Sequence, residues 1–328
     1  MNILVTGGAG YVGSHCVRKL CDRGDRVVVF DNLDKGHRAA IDDRATFVEG
    51  DLGHVKQVRE VLAAAPFDAV MHFAAHAEVN ESVSDPLRYY RNNVINSIAL
   101  LEAMRQQQVG KLVFSSSCAV YGIPPSVPIE EDMPKNPINP YGRTKLAIEW
   151  AIEDCVTAWG LGATALRYFN AAGAAADGTI GEDHAPESHL IPRVLEVALG
   201  QSDGVKIFGV DYPTPDGSCV RDYIHVDDLA EVHRVALDTQ PDGKFRCFNV
   251  GTGLGVSVKE LVQAARDVTG HDIPATPAAR REGDPPELYA DPTRARTALN
   301  WEPRYTEIRG IVETAWNWHK NHPGGYAS

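Results

Sequence analysis

A glycine-rich segment near the amino terminus constrains the fold of this chain more than any other feature. Residues 5–13, VTGGAGYVG, follow an apolar run typical of a strand and open a stretch typical of a helix. Gly8, Gly10 and Gly13 match the spacing G-x-G-x-x-G, and Gly7 begins the related spacing G-x-x-G-x-x-G. Because glycine lacks a Cβ atom, the backbone can approach a pyrophosphate at the N-terminus of the helix. The segment therefore predicts a strand–turn–helix unit that binds a dinucleotide.

Short apolar runs alternate with helical patterns through the first half of the chain. Strands are predicted at residues 3–6, 26–30, 46–49, 69–72, 111–115 and 162–168. Helices are predicted near residues 11–21, 56–64, 86–107 and 141–158. The strands are apolar throughout, which is typical of a parallel sheet covered by helices on both faces. We therefore expect an α/β fold built on a Rossmann-type doubly wound parallel sheet.

After about residue 170 the chain becomes richer in Gly, Pro and Ala, and its regular segments become shorter. Helices in this part are predicted at residues 190–199, 256–268 and 309–320. We expect residues 1–170 to form the dinucleotide-binding domain and residues 171–328 to form a smaller C-terminal α/β region that binds the substrate. A late strand at residues 247–250 can return to the first sheet.

Charge and composition argue against several classes of protein. The net charge of −12 over 328 residues is unsuited to binding nucleic acid or an anionic membrane surface. No apolar run reaches the ~18 residues that span a bilayer, and no leader pattern precedes NILVTGG, so a cytoplasmic location is expected. The six cysteines show no C-x-x-C pair and no zinc-type spacing with histidine, so no metal site is predicted.

The ends of the next three strands carry residues suited to a dinucleotide. Asp31 follows the second strand, where a carboxylate accepts hydrogen bonds from a ribose and repels a 2′-phosphate. This favours NAD over NADP, with an ordinary turn aspartate as the alternative. Asp51 and Leu52 follow the third strand, near the expected adenine. The carboxyl end of the fourth strand would leave room for the cofactor at Phe73, Ala74 and Ala75.

The segment NPYGRTK places Tyr141 four residues before Lys145, on one face of a predicted helix. A phenol has an ordinary pKa of about 10, which makes it a poor base at neutral pH. An ammonium ~6 Å away contributes roughly 3 kcal/mol at an effective dielectric of 20, and an oxidised nicotinamide ring would add to this. The pair therefore predicts a phenolate that takes a proton from a sugar hydroxyl. Spacing does not decide which of Ser115, Ser116 and Ser117 faces Tyr141.

Segments along nearly the whole chain resemble the UDP-glucose (UDP-galactose) 4-epimerase family of the extended short-chain dehydrogenase/reductase superfamily. The resemblance rests on LVTGGAGYVGSH, DNL, FVEGD, ESVSDPLRYYRNNV, FSSSCAVYG, NPYGRTK, LRYFNAAGA, GEDH, DYPTPDGSCVRDYIHVDDLA, FNVGTG, RREGDPPE and LNW. The N-terminal segments are shared by many superfamily members, whereas DGSCVRDYIHVDDLA and RREGD narrow the resemblance to these epimerases and their near relatives. It implies an NAD cofactor, a UDP-sugar substrate bound by residues 171–328, and a homodimer packed through the helices at 86–107 and 141–158.

The resemblance also implies a role for individual residues. The catalytic set would be Ser117, Tyr141 and Lys145. The cofactor would be bound by Gly7, Gly10, Tyr11, Val12, Gly13, Asp31, Asn32, Asp51, Leu52, Phe73, Ala74, Ala75, Asn93, Ser115, Tyr141, Lys145 and Tyr168. The UDP-sugar would be held by Ser117, Tyr141, Asn170, Leu190, Arg221, Arg281, Asp284 and Leu288.

Two of these roles also follow from general chemistry, and one position departs from the family pattern. Arg221 and Arg281 could bridge pyrophosphate oxygens, and Asp284 could accept from a ribose hydroxyl. Without the resemblance, the two arginines could equally be surface or ion-pair residues. Some family members carry a lysine after the fourth strand, where this chain has Ala77.

The implied activity is the inversion of the 4-hydroxyl of a UDP-hexose through a transient 4-keto sugar. UDP-N-acetylhexosamines and UDP-xylose or UDP-arabinose are alternative substrates, because near relatives in the family include epimerases of these sugars. The resemblance places the gate for a 2-acetamido group at Leu288 or at the next residue, Tyr289. A sugar-nucleotide decarboxylase or 4,6-dehydratase is a second alternative, but a dehydratase would carry an Asp-Glu pair where Cys118 and Ala119 stand. A non-catalytic NAD-binding regulator would not need Tyr141 and Lys145 together with a serine.

Overall fold

The computed structural model describes residues 1–281 and 284–327. Residues 282 and 283, within the RREGDPPE segment, and residue 328 lie outside the described residues. The strands are β1 Asn2–Thr6, β2 Arg26–Asp31, β3 Thr46–Glu49, β4 Ala69–His72, β5 Lys111–Ser117, β6 Gly162–Tyr168, β7 Asn170–Ala172, β8 Val205–Phe208, β9 Val220–His225, β10 Phe245–Val250, β11 Gly255–Ser257, β12 Ala275–Ala278 and β13 Glu287–Leu288. The helices are α1 Tyr11–Asp22, α2 Val55–Ala63, α3 Val79–Ser84, α4 Pro86–Tyr89, α5 Asn96–Gln106, α6 Pro140–Trp159, α7 Leu190–Ala198, α8 Val226–Asp238, α9 Val258–Thr269, α10 Thr293–Leu299 and α11 Ile308–Asn321.

Within this described part, a seven-stranded sheet with the order β10-β6-β5-β4-β1-β2-β3 forms the centre of the molecule. Each neighbouring pair of these strands is parallel. The strand order reverses between β1 and β4, and such a switch point is where doubly wound sheets bind their ligands. The predicted Rossmann-type fold is confirmed. Strand β10 pairs with β6, as the sequence allowed for residues 247–250. The division at residue 170 stays a prediction.

The apolar strands are buried on both faces because alternate side chains enter two separate cores. Ile3 and Val5 of β1 pack with residues of α1 and α8, whereas Leu4 packs with residues of α2, α5 and α6. These helices therefore cover opposite faces of the sheet, which explains why the strands are apolar throughout rather than alternating.

A second region contains smaller sheets and helices. Strand β9 pairs with β7, β11 and β13, and β8 pairs with β12. Helices α7, α9 and α11 share an apolar core with this part of the chain. No helix that the structure describes is both long and apolar enough to cross a membrane.

One predicted helix differs from the observed structure. The sequence predicts a single helix at residues 86–107, but the chain forms α4, a π-helical segment Tyr90–Ile95 and then α5. Single π-helical turns often occur near functional sites. Here the π-helical segment contains Asn93, whose buried side chain bonds a loop of the cleft described next.

Candidate active site

A cleft of about 630 Å³ lies at the carboxyl ends of the parallel strands, between the large sheet and the second region. The turn after β1, the ends of β2 and β5, and the loop after β4 form one side. Residues 169–171, 182–189 and 284–288 contribute to the other side. The cleft therefore coincides with the switch point of the sheet.

The glycine turn has no space for side chains at two positions. Gly7 has φ +74°, and a Cβ there would lie 2.4 Å from the backbone nitrogen of Ala74. A Cβ on Gly13 would lie 2.1 Å from the carbonyl oxygen of Gly7. Helix α1 begins after Gly10 without a side-chain cap, so its first N–H groups are available to an anion at the cleft. The predicted residues of this turn all line the cleft: Gly7, Gly10, Tyr11, Val12 and Gly13.

Asp31 lies at the end of β2 and lines the cleft. Its Oδ2 accepts from the N–H of Ala9 at 3.0 Å, and its Oδ1 accepts from the N–H of Leu33 at 2.9 Å. Burial raises the pKa of this carboxyl, although the backbone N–H groups oppose the shift. Asn32 also lines the cleft and donates to Oδ2 of Asp51 at 2.9 Å. A polar wall therefore forms where the ribose and adenine of a dinucleotide are expected.

The loop after β4 forms the next part of the wall, through Phe73, Ala74 and Ala75. Asn93 lies behind this wall and is fully buried. Its side-chain amide accepts from the N–H of His76 at 2.9 Å and donates to the carbonyl of His76 at 3.0 Å. Asn93 therefore positions the loop of this wall, and its place in the cofactor site that the resemblance implies stays a prediction.

The three serines at the end of β5 have different surroundings. Ser116 is fully buried and donates to Oε1 of Glu149 at 2.6 Å. Ser115 lines the cleft, and its hydroxyl is 2.7 Å from the hydroxyl of Tyr168. Ser117 also lines the cleft; its Oγ accepts from the N–H of Ala119 at 3.2 Å, and its hydroxyl partly offsets the rise that burial causes in the pKa of Tyr141. The structure therefore separates Ser117, beside the tyrosine, from Ser116, which points into the core.

Tyr141 and Lys145 lie in the first turns of α6, where Asn139 caps the helix by accepting from the N–H of Gly142 at 2.8 Å. Tyr141 lines the cleft, whereas the side chain of Lys145 is buried behind it. The Nζ atom of Lys145 donates to the carbonyl of Ser115 at 2.7 Å. It lies 5.9 Å from the centre of the Tyr141 ring. At this distance, a charge on one side chain interacts electrostatically with a charge on the other.

Burial dominates the pKa values of both side chains. It raises the pKa of Tyr141, and the nearby Tyr168 adds to this, while the hydroxyl of Ser117 opposes it. Burial lowers the pKa of Lys145 to about 7, although Glu149 opposes the shift. Burial thus opposes the phenolate that the spacing predicts next to an oxidised nicotinamide, and that phenolate stays a prediction for the protein with its cofactor bound.

The depressed pKa of Lys145 leads to a stability prediction. The pKa of Lys145 is 10.5 in the unfolded chain and about 7 in the folded one, so the folded protein releases this proton at a lower pH. Burying the charged lysine therefore lowers the free energy of unfolding by up to roughly 5 kcal/mol below pH 7. This penalty decreases as the pH rises and disappears at pH ~10.5. We expect Lys145→Met to raise the free energy of unfolding at pH 6 to 7, and this gain to shrink towards pH 10. Urea unfolding of both proteins across this range measures it; a gain independent of pH would contradict the assignment.

The structure brings some of the substrate residues implied by the resemblance to the cleft and places others behind it. Asn170, Arg281, Asp284 and Leu288 line it. Arg221 forms an ion pair with Asp284 rather than lining the cleft itself. The guanidinium of Arg281 lies 4.0 Å above the ring of Phe208. Leu190, which begins α7, packs against the apolar core of the second region.

Several residues that line the cleft were not predicted from the sequence. They include His76, Glu182, His184 and His189. The charged segment GEDHAPESH was the available signal for the last three, because such a density of carboxylates and imidazoles is unusual in a simple connecting loop. Lys35, whose Nζ donates to the carbonyl of Ala185 at 3.3 Å, connects the loop after β2 to this segment.

Comparisons with known proteins agree with this geometry. The sequence profile of the NAD dependent epimerase/dehydratase family matches residues 3–251. The chain is 54% identical to the UDP-glucose 4-epimerase of Halalkalibacterium halodurans over 100% of this chain and 98% of that protein. A crystal structure of a UDP-glucose 4-epimerase, 50% identical, superposes with a TM-score of 0.97 and 100% coverage of both chains. The Bifidobacterium longum enzyme, solved with NAD+ and UDP, is 37% identical with a TM-score of 0.95, covering 99% of this chain and 100% of that one. The chain therefore belongs to the NAD dependent epimerase/dehydratase family.

Proposed function

We propose that the chain catalyses the NAD-dependent inversion of the 4-hydroxyl of a UDP-hexose, interconverting UDP-glucose and UDP-galactose through a transient 4-keto sugar. The observation that carries this proposal is the position of Tyr141 and Ser117 in one cleft, between the glycine turn and the arginine-containing end. The similar proteins named UDP-glucose 4-epimerase, one of them solved with NAD+ and UDP, support the same assignment.

The residues of the cleft fit NAD. A pyrophosphate can lie against the turn where Cβ atoms on Gly7 and Gly13 would collide with the backbone. Asp31 presents a buried carboxylate at the end of β2, which suits the 2′- and 3′-hydroxyls of a ribose and disfavours a 2′-phosphate. When bound, NAD would accept a hydride from C4 of the sugar and could return it.

The protein groups then handle the proton on the 4-hydroxyl. Tyr141 presents its phenol to the cleft beside the hydroxyl of Ser117, so the two can share that proton. Lys145 donates to the carbonyl of Ser115 and adds positive charge behind the phenol when it is protonated. The net reaction needs no external oxidant, because the hydride removed from C4 is returned to it.

The other end of the cleft anchors the UDP group. Arg281 offers an exposed guanidinium at the cleft, and Asp284 offers a carboxylate that can accept from a ribose hydroxyl. Arg221 is paired with Asp284, so diphosphate binding would draw its guanidinium away from that carboxylate. An anchor on UDP leaves the sugar free to rotate and present either face of its C4 carbonyl.

A direct assay tests the proposal. Purified protein that is shown to contain NAD is supplied with UDP-galactose and no added NAD, and the sugar is followed by proton NMR. We expect UDP-glucose to accumulate to equilibrium without a net change in NAD redox state. Recovery of unaltered UDP-galactose would contradict the proposal, and a 4-keto-6-deoxy or decarboxylated sugar would identify the dehydratase or decarboxylase instead.

Substrate range is proposed to depend on Leu288. Leu288 lines the cleft, whereas the ring of Tyr289 lies beside Gly255 and its carbonyl accepts from the N–H of Ile129 at 2.9 Å. A leucine occupies less space than an aromatic ring, so the site should also accept a 2-acetamido sugar. UDP-GlcNAc is therefore proposed as an additional substrate.

The variant Leu288→Tyr is expected to lower kcat/KM for UDP-GlcNAc by at least ~10-fold and to change that for UDP-galactose by less than ~3-fold. The reason is steric, because the larger ring would occupy the space next to the 2-substituent. Parallel assays with both sugars measure the ratio, and Tyr289→Leu is the matched control at the neighbouring position. Equal losses with both sugars would contradict the role of Leu288.

A homodimer is also proposed, packed through the face that carries α5 and α6. Large apolar side chains are exposed on α5 at Ile98 and on α6 at Trp150, and on the segments that precede α5 at Val83, Leu87 and Ile95. Clusters of exposed apolar residues mark interaction surfaces in proteins. Sedimentation equilibrium of the full chain checks this proposal, and a monomer at micromolar concentration would contradict it.

A cytoplasmic location is proposed for the chain. All six cysteines are free, which suits a compartment that keeps thiols reduced. Cell fractionation with an antibody against the chain measures the location, and recovery outside the cytoplasmic fraction would refute it.

A further inference from the structure

The loop between β7 and α7 gathers two carboxylates and two imidazoles at the rim of the cleft. Glu182, His184, Glu187 and His189 each offer one ligand atom, and these atoms all lie within 4.8 Å of one another. None of the four is needed for the proton chemistry assigned to Tyr141. We propose that these residues form a binding site for one divalent metal cation of the zinc type.

The separations between the ligand atoms fit a tetrahedral ion. Oε1 of Glu182 lies 3.4 Å from Nδ1 of His184 and 2.9 Å from Nδ1 of His189. Oε2 of Glu187 lies 3.7 Å from Nδ1 of His184, and Oε1 of Glu187 lies 3.2 Å from Nδ1 of His189. Zinc binds such atoms at about 2.1 Å, which at the tetrahedral angle places the ligands roughly 3.4 Å apart. Only small side-chain movements are therefore needed to coordinate an ion.

Two of these atoms are buried without adequate hydrogen bonds, which is a second indication of a ligand. Among the described residues, neither Oε1 of Glu182 nor Nδ1 of His184 makes a hydrogen bond of good geometry, although Nδ1 of His189 lies 2.9 Å from that oxygen. The side chain of Glu182 is only 4% exposed, so its charge is largely removed from water. Burial of an unsatisfied polar group is costly, and a cation shared by the four residues would remove this cost.

The remaining contacts hold the ligands in place. Oε1 of Glu187 accepts from the N–H groups of Ser188 and His189, both at 2.6 Å, which leaves Oε2 free to coordinate. The ring of Tyr11 contacts that of His184 edge-on, and the hydroxyl of Tyr11 donates to the carbonyl of Gly173 at 2.6 Å. His189 is half exposed, so an ion can enter from solvent.

Charge and ligand type both favour a borderline cation over Mg²⁺ or Ca²⁺. Two carboxylates balance a charge of +2, and imidazole nitrogens suit Zn²⁺, Co²⁺ and Ni²⁺, whereas the two harder ions prefer oxygen ligands throughout. The proposal departs from the expectation of no metal site, because that expectation rested on the spacing of cysteines. A bound ion would fix the loop that lines the cleft beside Tyr11, independently of which sugar the cleft accepts.

Protonation of the two imidazoles competes with metal binding at this site. Burial lowers the pKa of His184, but the two carboxylates outweigh it and raise the value to about 9. Two imidazolium–carboxylate pairs could therefore satisfy the cluster without a metal, and the experiment must distinguish the two states.

The test is an isothermal titration of chelator-treated full-length protein with Zn²⁺ at pH 8. We expect one equivalent to bind with a dissociation constant in the micromolar range or tighter. His184→Gln and His189→Gln should each weaken binding by at least ~10-fold, since each removes one of four ligands. His271→Gln, which changes an exposed histidine outside the cluster, is the matched control and should bind like the parent.

Thermal unfolding provides a second measurement that also reports whether each variant folds. Stoichiometric Zn²⁺ should raise the melting temperature of the parent and of His271→Gln, but not of the two cluster variants, because a ligand stabilises the state that binds it. Co²⁺ should give the visible absorption bands of a four- or five-coordinate site in the parent. Absence of one-equivalent binding by the parent would mean that protons alone occupy the cluster, and equal Zn²⁺ affinity in all four proteins would place the ion elsewhere. Either result overturns the proposal.

Discussion

Replacement of Tyr141 by phenylalanine is expected to lower kcat for the conversion of UDP-galactose by about 10²–10⁴-fold. The variant keeps the aromatic ring, which is buried at the start of α6, and removes only the hydroxyl that faces the cleft. Since we propose that this hydroxyl exchanges a proton with the 4-hydroxyl of the sugar, its loss should remove the acid–base step and leave binding almost intact. Steady-state rates and NAD content of the purified variant measure this.

Tyr168→Phe is the matched control for this experiment. The Tyr168 hydroxyl lies in the same cleft but pairs with the hydroxyl of Ser115 at 2.7 Å. Removing one neutral hydrogen bond costs about 1 kcal/mol, so we expect a loss of no more than ~10-fold. If Tyr141→Phe retained activity within ten-fold of the parent, or lost no more than Tyr168→Phe, the acid–base assignment would be wrong.

Replacement of Gly7 by alanine should abolish NAD binding and destabilise the protein by about 2–4 kcal/mol. The added Cβ would lie 2.4 Å from the backbone nitrogen of Ala74, in a residue with φ +74°. Ala74 cannot move aside easily, because its N–H donates to the carbonyl of Thr6 at 3.1 Å and holds the loop after β4 to β1. The collision therefore displaces the turn that approaches the pyrophosphate.

Alanine substitutions at two other glycines distinguish the effect of backbone strain from the effect of a steric collision. Gly24 has φ +88° and no described atom within 4 Å of an added Cβ, so Gly24→Ala tests strain alone, at about 1 kcal/mol. Gly110 has neither a positive φ nor a described neighbour at that distance, and Gly110→Ala should be nearly neutral. Unfolding in guanidinium chloride gives the three free energies, and absorbance of the released cofactor gives the NAD content. A Gly7→Ala protein as stable as Gly24→Ala, or one that retains NAD, would contradict the prediction.

The sequence predicted the sheet and the glycine turn because both depend on local patterns. An apolar run such as residues 27–30 favours burial on both faces, and the spacing of Gly7, Gly10 and Gly13 between a strand and a helix favours a turn that approaches an anion. Once the strands are parallel, their carboxyl ends meet at one edge, which brings Asp31 and Ser117 to the same cleft. Tyr141 follows the same logic, because four residues on a helix set its relation to Lys145.

Details of the cleft depended on side chains distant in sequence. Ser116 points into the core because Glu149 accepts its hydrogen bond there, and no pattern within FSSSCAVYG contains that partner. Asn93 contacts His76 from within a π-helical segment that the periodicity did not indicate. The ion pair of Arg221 with Asp284 joins residues 63 positions apart.

The amino-acid sequence by itself determined the α/β architecture, the glycine turn and the tyrosine–lysine pair, because periodicity and short spacing express backbone geometry directly. Only the tertiary structure decided how deeply that pair is buried and the grouping of Glu182, His184, Glu187 and His189. Desolvation depends on all the atoms that surround a group, and the path of a loop depends on what it packs against. Neither quantity is encoded in the spacing of residues along the chain.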